Sequence, residues 1–198
     1  MFISEPTTAE ASAFLEKDRA ATGYVMNLER AWAWRPDVAE AFVALRKRLT
    51  DQSSLAPREI ALLVCTTARV LGDSYCSLAW GSKLAELAGA GLAAEVLRGS
   101  DSDTLSTRER ALKRWAEQVV RDPNEATMQQ MDELRAAGLS DREIFEATVY
   151  VAFRLAFSTV NDALGAQPDQ QLVAAAPPEV RAAVVYGRPP SSKPLCKQ

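Results

Sequence analysis

The sequence contains no histidine. That absence removes the commonest general base and the commonest metal ligand together, so Ser-His-Asp triads and histidine-built hydrolytic zinc sites are excluded within one chain. Cysteine is scarce, at three thiols. An odd count, with no basic and apolar leader in MFISEPTTAE, implies a reducing, cytoplasmic setting rather than a disulfide framework. No apolar run approaches the roughly 20 residues that span a bilayer. Charge of one sign is missing as well: 23 Lys and Arg stand against 26 Asp and Glu, a net of −3, with no basic footprint for nucleic acid. Strand signals are nearly absent.

What remains is a soluble, globular, all-α chain. With 198 residues, 47% hydrophobic and 25% charged, it makes one domain or two small helical halves sharing a core. Apolar residues recur at three- and four-residue spacing almost throughout. The spacing predicts helices over 9–21, 26–34, from 37 to about 49, 59–71, 75–87, 92–97, 106–121, 127–137 and 140–164. Val38, Phe42, Leu45 and Leu49 form one stripe, and the longest helix is expected to bury Ile144, Val149, Phe153, Ala156 and Val160. Residues 100–104 make a polar link, the candidate boundary between halves. The domain is expected to span 1–175. A tail over 176–198 follows, with a weak helix at 178–186 that docks on a neighbouring subunit and a mobile end.

Three helix starts share a pattern: Leu55 to Glu59, Leu105 to Glu109 and Leu139 to Glu143, each closing on Arg-Glu. Ser106 with Glu109, and Ser140 with Glu143, make capping boxes with a leucine as hydrophobic staple. Pro57 takes the first-turn position that suits proline. The same helix-start physics explains the recurrence. A duplication would also produce it, but the helix interiors differ.

The stretch 59–89 reads as two helices joined at Gly72–Asp73, the first apolar nearly all round and so central to a bundle. Cys76 falls in the first turn of the second. With Asp73 as N-cap, the helix start lowers the thiol pKa while the nearby carboxylate raises it, unless Lys83 or an arginine intervenes. Cys65 lies in an apolar helix as a small hydrophobe, and Cys196 near the end is expected to be exposed. A Cys65–Cys76 disulfide is disfavoured. An axial offset of about 4–5 Å adds to a helix separation of roughly 8–10 Å, whereas the Cα atoms need about 6 Å. Trp32, Trp34 and Trp115 read as core or interface residues. Trp80, one turn beyond Cys76, walls a pocket over the thiol or fills space.

LLVCTTARVLGDSYCSLAWGSKLAELAG, with the later blocks LSTRERALKRWAEQVVRDP and AAGLSDREIFEATVYVAFRLAFSTVNDALG, resembles the alkylhydroperoxidase D / carboxymuconolactone decarboxylase family. The later blocks are most similar to its peroxidase-related branch, and the resemblance covers about 23–169. It implies an all-helical bundle of about seven to nine helices that assembles as a homo-oligomer. Peroxidase members carry Glu, eleven residues, then Cys-x-x-Cys-x-x-x-His. The second cysteine attacks the peroxide, the first resolves it, and Glu and His relay protons. On this chain those positions hold Ala61, Asp73, Cys76 and Trp80. Glu59 stands two residues from the relay position and serves only if the register slips. Decarboxylase members show Tyr followed by His, and Tyr75 matches the tyrosine while Trp80 replaces the histidine.

The resemblance therefore implies a one-cysteine thiol peroxidase acting through Cys76 on an organic hydroperoxide or another small apolar ligand, reduced by an external thiol and needing no cofactor or metal. Cys76, Asp73 and Glu59 are the catalytic candidates, and Trp80, Tyr75 and Ala61 the pocket candidates. The alternative is a catalytically inactive member that binds small molecules or acts as a scaffold.

Overall fold

Short polar residues set where the helices begin. Thr8 Oγ1 accepts the Ala11 N–H at 3.2 Å to open α1 (Ala9–Thr22). Prolines take the first positions of α3 (Pro36–Asp51) and α4 (Pro57–Leu71), with α2 (Asn27–Trp32) between α1 and α3. The chain continues through α5 (Ser74–Ala88), α6 (Ala90–Arg98), α7 (Thr107–Arg121), a 3-10 turn (Pro123–Glu125), α8 (Met128–Ala136), α9 (Asp141–Ala163), α10 (Gln170–Ala175) and α11 (Pro178–Ala183). The computed structural model describes residues 1–192, so Cys196 lies outside the described residues. Among those described there is no strand, and no helix is long and apolar enough to cross a membrane. The eleven α-helices exceed the seven to nine expected because the segment after Pro168 holds two short ones.

Helix α4 is the axle of the fold, as its apolar circumference requires. It packs on α5, α6, α7 and α9, and every residue from Glu59 to Ala68 is buried. Ile60, Leu63 and Val64 face a core built with α7, α8 and α9. Ala61, Leu62 and Cys65 face a second core with α5, α6 and α11. The 100–104 link therefore joins two sides of one packed body through α4. Truncating a side chain as buried as Leu62 or Leu63 to alanine costs about 2–5 kcal/mol.

The three patterned starts converge at one pole. Glu59, Glu109 and Glu143 each accept a backbone N–H from the residue three before it, at 2.8 Å in every case. Their spare oxygens are bound across helices. Arg108 donates to Glu59 at 2.6 Å and to Glu143 at 2.5 Å, and Arg58 donates to Glu109 at 2.5 Å. Leu55, Leu105 and Leu139 are buried beneath. Arg-Glu recurs because in α4 and α7 each pair serves a neighbour's start as well as its own.

Two expectations about buried faces, on α3 and α9, need correction. Of the four stripe residues on α3, Phe42 and Leu49 pack inward beside the buried Ala39, and Val38 and Leu45 remain exposed. Trp34 is half exposed, donating to Ser4 O at 2.9 Å. On α9 the inward face is turned from the apolar one: Ala156 is exposed, while Arg154, Ser158 and Asn161 are buried. Other helices bring each of them one partner, Cys76 for Arg154 and Ser158 and Trp32 for Asn161.

In the tail, Val185 is exposed, and Val180 and Ala183 of α11 are buried against α5 and α6 of the same chain. Gly81 makes this possible: a Cβ there would lie 2.8 Å from Val180 and 2.7 Å from Leu97. Its missing side chain is the notch that α11 fills.

Candidate functional site

The α4–α5 turn fixes Cys76. Gly72, at φ 75°, takes the left-handed conformation that glycine adopts without strain, and Asp73 N–H then donates to Ala68 O at 2.8 Å. Asp73 is the N-cap of α5, its Oδ1 accepting the Cys76 N–H at 2.9 Å. Cys76 is 3% exposed. Both Cys65 and Cys76 are free thiols.

Two side chains from α9 reach the sulfur. Arg154 Nη2 lies 3.6 Å from Cys76 Sγ and Ser158 Oγ lies 3.7 Å from it. The Arg154 guanidinium sits over two rings, 5.2 Å from the Trp80 centroid and 5.1 Å from that of Phe157. Trp80, at the position the resemblance reserves for histidine, thus grips a cation instead of relaying a proton. Burial pushes the Cys76 thiol up to about 12. The Arg154 charge opposes this, and the Asp73 charge reinforces it. Burial thus favours the neutral thiol form of Cys76. Burial also raises Cys65.

An apolar pocket lies on the other side of Arg154. It has a volume of about 470 Å³ and is walled by Phe14, Trp32, Phe42, Phe153 and Phe157 between α1, α2, α3 and α9, with Arg154 itself in the lining. Phe42 stacks on Phe153 at 4.5 Å and Trp32 on Phe157 at 5.5 Å between centroids. The Trp32 indole is fixed by donating to Asn161 Oδ1 at 2.8 Å. Glu29 lines the same wall. Burial and the neighbouring Asp18 charge push its carboxyl up to about 7, with Arg46 opposing.

The other candidates fall elsewhere. Glu59 is committed to Ala56 N–H and Arg108 at the start of α4. Twelve residues of helix, about 18 Å, separate it from the Gly72 end, so no slip of register brings it to Cys76. Ala61 is fully buried in core packing and is not part of the aromatic pocket's lining. The Tyr75 hydroxyl donates to the Asp169 carboxylate, whose other oxygen accepts the Asn27 N–H at 3.0 Å. Tyr75 is thus a tether between elements, and burial followed by the Asp169 charge raises its pKa. Neither Tyr75 nor Trp80 lines the aromatic pocket. Lys83 pairs with Glu86 at the surface and Arg69 with Glu117, so the intervening cation is Arg154.

Arg154 and Ser158 were the residues that periodicity passed over. Their signal is a lone arginine inside VYVAFRLAF, with Ser158, Asn161 and Asp162 spaced four, seven and eight residues on, a polar stripe in an otherwise apolar helix.

No family model matches the sequence, and no curated protein matches it. Solved structures do. An uncharacterized peroxidase-related protein from Ralstonia eutropha JMP134, described as an alkylhydroperoxidase AhpD core, gives a TM-score of 0.74 at 22% identity over 86% of this chain and 93% of its own. An uncharacterized peroxidase-related protein from Silicibacter sp. TM1040 gives 0.71 at 22% identity, over 85% and 90%. The debrominase Bmp8 gives 0.67 at 16% identity, over 89% and 90%, and a cysteine-to-alanine variant of it has been crystallised with 2,3,4-tribromopyrrole. The class is therefore an all-helical bundle. In particular, the chain has the AhpD-like fold of peroxidase-related proteins.

Proposed function

We propose that the protein is a one-cysteine thiol peroxidase that reduces organic hydroperoxides through Cys76. The observation that carries this is the shared position of Arg154, which touches Cys76 Sγ at 3.6 Å and also lines the aromatic pocket. A hydroperoxide with an apolar body fits the pocket walls, and its O–O group meets the guanidinium that neighbours the sulfur. Sulfur attacks one peroxide oxygen, the O–O bond breaks, and the products are a sulfenic acid and an alcohol. An external thiol then condenses with the sulfenic acid, releasing water and leaving a mixed disulfide. A second thiol attacks that disulfide, returning Cys76 as a thiol while the reductant leaves as its own disulfide. Asp73 stands where a resolving cysteine is wanted, so an internal disulfide at that position is not available.

A second reading is a ligand-binding protein without turnover. It is favoured by the neutral, buried thiol at about 12. The bromopyrrole seen in the debrominase variant supports an aromatic-sized occupant, and makes bromopyrroles a second probe alongside hydroperoxides. The test is single-turnover reaction with cumene hydroperoxide in a Cys65→Ala/Cys196→Ala background. The peroxidase reading expects loss of the Cys76 thiol within seconds and a sulfenic acid trapped by dimedone. A thiol intact over minutes, with the ligand still bound by calorimetry, leaves the binding reading.

A further inference from the structure

Asp73 is an expensive way to cap a helix. Thr8, Ser106, Thr127 and Ser140 cap α1, α7, α8 and α9 with neutral hydroxyls, and serine caps about as well as aspartate. At α5 the chain instead buries a carboxylate completely, which is costly unless the charge is paired and fully hydrogen-bonded. Oδ1 is occupied by the Cys76 N–H at 2.9 Å, while Oδ2 is buried without a hydrogen-bond partner. An open acceptor therefore sits beside the one sulfur that Arg154 and Ser158 also reach.

We infer that Asp73 is the proton acceptor for Cys76, replacing the histidine relay in the peroxidase reading on which this inference rests. As the S–O bond forms and the O–O bond breaks, the thiol proton passes to Asp73. Asp73 then hands it to the departing alkoxide, which leaves as the alcohol. Cys–SH and ROOH become Cys–SOH and ROH, with Asp73 returned to its starting state. Arg154 holds the charge that develops on the oxygens, and Ser158 donates to the sulfur. Asp162 lies eight residues beyond Arg154 on α9, where burial and the Asp73 charge push its carboxyl up to about 7, with Arg188 opposing.

Asp73→Asn decides the matter, because asparagine keeps the cap and removes the base. Electrostatics and proton transfer give opposite signs. Removing the carboxylate lowers the thiol pKa, so a merely restraining Asp73 makes the variant react faster. A proton acceptor makes it react slower although the thiol is more acidic, by about 100-fold at neutral pH. The measurements are the cumene hydroperoxide rate across a pH series and the thiol pKa by alkylation. Asp73→Ser, with a neutral hydroxyl cap, repeats the test should the amide not fold. An unchanged or faster rate overturns the inference. If wild-type protein is not oxidised at all, the peroxidase reading falls separately, and iodoacetamide alkylation of the same variants still decides on Asp73. Slower alkylation supports proton acceptance, and equal or faster alkylation overturns it.

Discussion

The two ends of α4 handle charge in opposite ways. At its start, Glu59, Glu109 and Glu143 cap three helices and share Arg58 and Arg108, so each carboxylate has both a backbone and a guanidinium partner. Around its far end, Asp73 Oδ2, Arg154 Nε, Asn161 Nδ2 and Arg188 Nε are buried with no hydrogen-bond partner. Buried polar atoms are nearly always paired, and unpaired ones call for an explanation. The first pole is organised for stability. The second leaves polar atoms unpaired on Asp73 and Arg154, the two charged residues that meet Cys76.

The sharpest break of this comparison is Arg154→Leu. Losing the guanidinium at Cys76 Sγ is expected to slow hydroperoxide reduction about 100-fold and to move the thiol further up. Stability is expected to hold or rise, because an apolar replacement removes a buried charge with an unpaired nitrogen. Single-turnover rates and a melting curve check both halves. A wild-type rate in this variant assigns the poles no difference in role.

Arg108→Ala tests the opposite pole. It strands Glu59 and Glu143 together, for an expected loss of about 2–3 kcal/mol. For a chain of this size that lowers the melting temperature on the order of 5–10 °C. The rate of Cys76 oxidation in the folded protein is expected to remain at the wild-type value. A variant that melts normally but reacts slowly overturns the division.

At the start pole, the Arg58 and Arg108 bridges that join the helix starts, and the structural role of Glu59, were not legible in the sequence. The helix starts themselves were, because capping boxes are local: the cap and its glutamate lie three residues apart and the staple one residue outside. Cys76 with its Asp73 cap was legible for the same reason. Arg154 and Ser158 were not. Arg154 lies 78 residues from Cys76, and the face of α9 that turns inward is chosen by what α5 and Trp32 present to it. Apolar periodicity ranked Ala156 and Val160 above the polar stripe that is actually buried. The docking of α11 was hidden in the same way, since it depends on the notch at Gly81 and not on the helix's own weak pattern.

The smallest expected effect sharpens the comparison by sign. Arg108 holds Glu143 down at about 2, against burial and with help from the Ser140 cap, below its ordinary 4.5. Between those values the unfolded chain binds the extra proton, so stability rises with pH across about 2 to 4.5, and the start pole's contribution is lost as the pH falls. Asp162 behaves in reverse. Its carboxyl is raised from 3.8 to about 7, so the folded protein holds the extra proton between those values. Stability from this group is therefore full in acid and declines as the pH rises to about 7. Asp162→Asn copies the protonated form and removes that decline. Because the group is only half buried, solvent screening limits the gain to about 1 kcal/mol, or roughly 2–4 °C above pH 7, with no gain near pH 4. Melting temperatures of the two proteins across pH 3–8 make the comparison. Parallel curves would mean that the charge near Cys76 is already relieved by a partner and that the two poles do not differ in kind.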